Sequence, residues 1–401
     1  MQWDRIARTA ARAAIGSAAV AGAASLGAAT YFARRVLTPE GEGPTDHVIH
    51  DLDEETVTLT RTLESEVMGR YGLWNEDRSA HLRMGEIRAM SDTTVTREVL
   101  GIDYGDPQPG PARFNSHYYA QPPDLALGLP TESVTIDAEI GELSAWLVPA
   151  AEPSDRWAIL VHGRGAFRFE CVRGVRPLHD AGLTVLVPAY RNDRDAPSGP
   201  DGRYTLGLSE WRDIEDAIRY AVRAGARTIT LGGWSMGGAI CMQLLAQSDL
   251  ADLVTGAFLD CPVLDWGDVL RHHAQVNNLP SPIGLLSRAV MGSQSLRWLA
   301  GVSEAVDVAQ TDWVMRADEL HTPMLVMHSV ADDFVPIGPS RAVAQTRPDL
   351  VTFEEWAVAR HCKLWNTDPV RWEEAVSSFV YMDELTSQRA KTVSSFVTPT
   401  S

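Results

Sequence analysis

The sequence predicts an α/β fold, a mostly parallel sheet with helices on both faces. Three observations point to it. Short apolar runs without alternation recur at Trp157–Val161, Thr184–Val187, Thr228–Gly232, Gly256–Asp260, Pro323–His328 and Val351–Trp356. Strands buried on both faces read this way. Helix-length segments separate the first four runs, at about 169–181, 208–224 and 238–246. The third observation is Gly233-Trp234-Ser235-Met236-Gly237, a small-residue turn between one of these strands and one of these helices.

Ahead of the parallel strands, Val134–Ile140 and Leu143–Val148 alternate around Gly141-Glu142, which predicts an antiparallel hairpin. Residues 56–125 carry further strand-like pieces, Val57–Thr60, His81–Met84 and Thr93–Val99, with turns at Gly72, Gly85 and Gly101. They predict a small β-rich module. From Glu40 to Glu55 there are seven acids and no Lys or Arg, the pattern of a solvated linker. Residues 13–33 carry no charge and are long enough to cross a bilayer as a helix. Three readings stay open for them: a single-pass anchor, a cleaved export signal, or a buried helix. The excess of arginine before the span favours a catalytic domain on the outer face. Its Ala and Gly spacing would let two such helices associate.

The Gly233–Gly237 turn carries chemistry because of its setting. Strand, tight turn and helix together make a nucleophile elbow, where only small residues fit two places either side of the serine. The helix N-terminus behind the serine favours a developing anion. A serine hydroxyl needs a base, and the base needs an orienting carboxylate. Downstream, His328-Ser329-Val330-Ala331-Asp332-Asp333-Phe334-Val335-Pro336 follows one strand, and Ala359-Arg360-His361-Cys362 follows the next. Acids past the carboxyl ends of parallel strands point into the ligand crevice. Upstream, His162-Gly163-Arg164-Gly165 ends strand 157–161.

In these segments the chain resembles α/β-hydrolases over about residues 132–385. His328…Asp332…Val335-Pro336 is similar to their H-G-x-x-D-x-x-V-P segment, with Ser329 in place of glycine. His162-Gly163-Arg164-Gly165 resembles their H-G-x-G oxyanion loop. The resemblance implies Ser235 as nucleophile, Asp332 rather than Asp333 as the triad acid, and His361 as the base. It implies the Arg164 and Met236 amides as oxyanion donors. It also implies lid helices between strands 256–260 and 323–328. The domain plan is then an anchor at 1–39, an acidic linker at 40–55 and the β-rich module at 56–130. An α/β-hydrolase domain follows at 131–386, with its lid insertion at about 262–320, and a disordered tail at 387–401.

Other residues near the expected crevice are Trp234, Arg191 and Asp193, candidates for substrate contact. Local pairing that orders the long loop is the preferred reading of Arg191 and Asp193, and substrate contact the alternative. His272-His273 has no third ligand at metal spacing, so no metal is expected, and the acyl chemistry implied needs no cofactor. A net charge of −18 disfavours nucleic acid as a partner. The expected partners are a small or lipid-like acyl substrate and a membrane. Lysine occurs only at Lys363 and Lys391, while arginine and alanine abound. With that bias the chain resembles membrane-anchored actinobacterial α/β-hydrolases of unassigned substrate. The four cysteines show no C-x-x-C spacing and read as buried free thiols. The function expected is hydrolysis of an ester or related acyl bond. A peptidase of prolyl-oligopeptidase type, an acyltransferase or thioesterase, and a non-catalytic membrane-bound binding protein remain as alternatives.

Overall fold

The computed structural model describes residues 22–39 and 45–382. Two β structures organise the chain. The first is a closed antiparallel barrel of six strands in the order β1-β2-β5-β4-β3-β6. They are β1 His47–Leu52, β2 Thr56–Thr60, β3 Tyr71–Asn75, β4 His81–Met90, β5 Thr94–Tyr104 and β6 Gly110–Asn115. Alternate side chains turn inward, and Ile49, Val57, Leu59, Leu73, Leu82, Met84 and Phe114 fill the interior. Closure through the β1–β6 pair removes both free edges.

Of the expected acidic linker at 40–55, residues 40–44 lie outside the described residues, and the first strand corrects the rest. His47 and Ile49 are buried in β1, and the acids cluster at its end. There Asp53 Oδ1 accepts the Glu55 and Thr56 amides at 2.8 and 2.7 Å, forming the turn into β2. Asp53 thus makes a hairpin turn, and the alternation of buried residues beside it decides the structure.

The second structure is an eight-stranded sheet in the order β14-β13-β12-β11-β9-β10-β8-β7. Its strands are β7 Glu132–Ala138, β8 Gly141–Val148, β9 Arg156–Val161, β10 Thr184–Pro188, β11 Thr228–Trp234, β12 Val254–Asp260, β13 Met324–Ser329 and β14 Val351–Trp356. Pairing is antiparallel for β7–β8 and β8–β10 and parallel elsewhere. The non-alternating runs of β9 to β13 are buried on both faces. One face packs Ile159, Leu231, Ile214, Ile218 and Ile240 into a core; the other packs Leu160, Phe258, Trp234 and Trp372. The helices Trp266–Val276, Ser281–Gly292 and Arg297–Ala300 lie between β12 and β13, where the lid was expected.

The expected membrane span at 13–33 falls partly on residues outside those described. Residues 22–37 form a helix whose Ala29, Ala33 and Leu37, four apart, share one face. All three are fully buried, and Ala33 and Leu37 join the sheet's core. The Tyr204 amide donates to Leu37 O at 2.8 Å, and Arg34 Nε to Leu299 O at 2.7 Å. Small side chains here serve close packing on protein. Among the described residues no helix is long and apolar enough to cross a membrane. The tail at 387–401 lies outside the described residues.

Candidate active site

Ser235 follows β11 and precedes the helix Met236–Gln247, with φ 52° and ψ −116°. A non-glycine residue in that region costs on the order of 1–3 kcal/mol, so its surroundings must enforce it. The flanking glycines show how. A Cβ on Gly237 would lie 2.0 Å from Val161 O, and one on Gly233 would lie 2.8 Å from Gly237 O. The Ser235 amide donates to Asp260 O at 3.0 Å, and its carbonyl accepts from Val263 at 3.1 Å. The turn is thereby clamped between β9, β11 and β12.

His361 lies on the loop after β14. Its Nε2 is 2.9 Å from Ser235 Oγ, and its Nδ1 is 2.7 Å from Asp332 Oδ2. The Asp332 side chain is fully buried at the end of β13. Its Oδ1 accepts the Phe334 and Val335 amides at 2.9 and 2.8 Å. Its Oδ2 lies 3.2 Å from His328 Nε2. That nitrogen also faces Val335 O at 3.1 Å, so two acceptors fix it as the protonated one. His328 Nδ1 then accepts from Ser340 Oγ at 2.8 Å. Burial alone would raise the Asp332 pKa, but the His361 charge and bonds from His328 and His361 outweigh it and hold the carboxyl well below its usual range. Burial depresses His361, yet Cys362 and Asp332 beside it raise its pKa well above that of an ordinary histidine. Asp333 points outward, 3.4 Å from Arg360 Nε, and only its Oδ1 reaches the His361 amide, at 3.5 Å.

The loop after β9 faces the same serine. A Cβ on Gly163 would come within 3.2 Å of Ser235 Cβ. The Gly163 amide donates to the buried Glu170 carboxylate at 2.6 Å. Glu170 Oε1 is paired with Arg173 at 3.2 Å, and Arg173 Nη1 donates to Cys362 O at 3.0 Å and Asn366 Oδ1 at 2.9 Å. One buried ion pair therefore joins the loop before Ser235 to the loop bearing His361. Gly165 sits at φ 68°, a turn suited to glycine. The Arg164 guanidinium reaches Arg35 O at 3.0 Å and Thr38 O at 2.8 Å, holding the 22–37 helix beside the site.

Three expected contact residues do not face a crevice. Trp234 is fully buried and stacked on Trp372 at 6.0 Å. Arg191 is locked to Asp213 by bonds of 2.8 and 2.6 Å. Asp193 accepts from His162 Nε2 at 2.8 Å and from the Tyr190 amide at 3.0 Å. His162 stacks on Tyr190 at 4.3 Å, and its Nδ1 meets Gly163 O at 2.8 Å. Asp193 thus braces the Gly163 loop from behind. These charges had to be paired once the loop after β10 became buried. Glu170 and Arg173 are the supporting residues that the sequence reading missed. Only the i,i+3 spacing of Glu170 and Arg173 was visible in the chain, because their other partners lie far away in sequence.

One helix of the insertion between β12 and β13 reaches His361 through Phe334. Phe334 packs against His361 with ring centroids 5.3 Å apart, and His273 of the helix Trp266–Val276 packs on Phe334 at 4.4 Å. His273 Nε2 meets Phe334 O at 3.0 Å.

Comparison with known proteins agrees with this architecture. An esterase of Pyrococcus furiosus superposes with a TM-score of 0.50 at 17% identity, covering 66% of this chain and 94% of that one. Est1E of Butyrivibrio proteoclasticus with bound ferulic acid gives a TM-score of 0.50 at 17% identity, covering 63% and 99%. No curated protein matches the chain in sequence. Residues 48–115, which span the barrel, match a domain of unknown function (DUF8805). Residues 158–394 match the alpha/beta hydrolase family model, which is more than half of the chain, and the protein belongs to that family.

Proposed function

We propose that the protein is a serine hydrolase that cleaves a carboxylic ester or related acyl bond. The observation that carries this reading is the line from Ser235 Oγ to His361 Nε2 at 2.9 Å and from His361 Nδ1 to Asp332 Oδ2 at 2.7 Å. Ser235 attacks the carbonyl, and His361 takes its proton and returns it to the leaving group. Asp332 holds the imidazole in the required tautomer. The developing oxyanion is taken by the Arg164 and Met236 amides. Two features support that pairing: Met236 opens the helix behind the serine, and Glu170 already occupies the neighbouring Gly163 amide. Water then releases the acyl group. The ester assignment draws support from the Pyrococcus furiosus protein of the same fold, which is named an esterase.

Covalent labelling with a fluorophosphonate probe tests the reading. Wild type should label and turn over a simple aryl ester. Ser235→Ala should do neither, and His361→Ala should label at least about a hundredfold more slowly. Labelling that persists in Ser235→Ala would overturn the site assignment.

A further inference from the structure

Behind the serine and its base lie two cysteines that acyl transfer does not use. Cys261 directly follows β12, and Cys362 directly follows His361. Both are buried free thiols. Both hold a positive φ, 46° and 50°, which side-chain-bearing residues seldom adopt. Segments about a hundred residues apart in sequence therefore bring two strained cysteines to one point. Cys261 Sγ, Cys362 Sγ and a ring nitrogen of His361 all lie within 4.8 Å of one another.

These separations suit a metal centre. With metal–sulfur bonds of about 2.3 Å and metal–nitrogen bonds of about 2.0 Å, a tetrahedral ion places sulfur and nitrogen ligands about 3.5 Å apart. Cys362 Sγ is 3.6 Å from His361 Nε2. Two thiolates and an imidazole select zinc-like ions over calcium or magnesium, which take oxygen ligands. Ser235 Oγ, 2.9 Å from the same nitrogen, or a water would supply the fourth ligand.

We propose that Cys261, Cys362 and His361 form an inhibitory site for a thiophilic divalent cation of the zinc class. On binding, the ion replaces the two thiol protons, which pass to solvent, and forms bonds to both sulfurs and to His361 Nε2. That nitrogen's lone pair is the one that must accept the serine proton, so the loaded protein cannot activate Ser235. The inhibitory consequence rests on the serine hydrolase reading; the binding does not.

The test uses the full chain, chelator-washed and with thiols reduced. Cobalt(II) is titrated first, because cobalt bound to thiolate gives a charge-transfer absorption independent of activity. One equivalent should saturate the band, and zinc should bleach it. Cys261→Ser and Cys362→Ser should each weaken it, and the double variant should abolish it. Zinc should then suppress ester turnover and probe labelling of the wild type, with recovery on adding EDTA. Each single variant, scored against its own metal-free rate, should need at least about tenfold more zinc. No band in the wild type, or a band retained by the double variant, would overturn the proposal. Should a cobalt band form in a protein that no acyl probe labels, the site stands and the hydrolase reading fails.

Discussion

Asp332 is held by more than its histidine. Two backbone amides fix one oxygen, while His328 and His361 share the other. Asp332→Asn keeps this shape but can present an N–H where His361 needs an acceptor, so the imidazole settles in the wrong tautomer. A loss of roughly 10³–10⁴ in kcat is expected, with folding retained, measured by steady-state turnover and thermal melting. Loss of less than tenfold would remove Asp332 from the mechanism. The pH profile follows from the same contacts. His361 must be neutral to accept a proton, and its pKa is raised above the ordinary 6.5. The acidic limb of kcat/KM should therefore lie above pH 6.5 when metal is chelated, and Asp332→Asn should move it to lower pH. Stability runs in the opposite sense. A histidine whose folded pKa exceeds its unfolded value adds stability fully present below the unfolded pKa and lost as pH rises through the folded one. The pH range that switches the base on thus removes this contribution to stability.

At the scale of elements, the barrel depends on an arginine inside it. Arg97 of β5 is fully buried and donates to the carbonyls of Ser65, Val67, Gly69 and Gly85 at 2.6–3.0 Å. Its guanidinium also lies over Tyr71 and Phe114. Burial lowers its pKa to about 10, so it stays charged at neutral pH. Arg97→Ala strands several buried carbonyls and should destabilise the barrel by roughly 3 kcal/mol or more, read by denaturant melting. Lysine should not rescue it, because a point charge cannot replace the planar fork. An unchanged melt would show that water satisfies these carbonyls. Arg97 also shows why the barrel was only half legible. Its charge reads as surface, and Gly72 and Pro111 break the patterns of β3 and β6, so only β2 and parts of β4 and β5 stood out. The parallel strands were legible because burial on both faces leaves an unbroken apolar run. Ser235, Asp332 and His361, which the fold brings together, stood out because each follows such a strand within a few residues. The supports did not: Arg173 meets Asn366 across nearly two hundred residues, and no local pattern encodes that contact. Arg191 and Asp193 pair within the fold, as the charged run suggested, rather than line a crevice. A charged loop at a strand end looks like a crevice wall until the fold buries it with its own partners.

Across the whole molecule, Asn366 joins the barrel to the catalytic loops. Its Nδ2 donates to Arg70 O at 2.6 Å and Ser116 O at 2.9 Å, and its carbonyl accepts the Arg70 amide at 2.7 Å. Contact is so close that a Cβ on Gly69 would lie 2.0 Å from Asn366 O. On its other side, Asn366 Oδ1 takes Arg173, which holds the carbonyl of Cys362 beside the base and, through Glu170, the Gly163 amide. Barrel, histidine loop and oxyanion loop therefore share one buried polar chain. Partly satisfied chains of this kind are costly, so each member restrains the next. Asn366→Ala would leave two barrel carbonyls and one arginine N–H without their partner, at about 1–3 kcal/mol for each buried group. The expected result is a kcat lowered about tenfold with KM nearly unchanged, because His361 and the loop after β9 lose alignment with Ser235. Amide exchange near Arg70 and Ser116 should quicken in the same variant. Faster exchange with full kcat would make Asn366 only a tether between two units. A fall in kcat together with faster exchange would mean that the barrel helps to set the geometry in which Ser235 reacts.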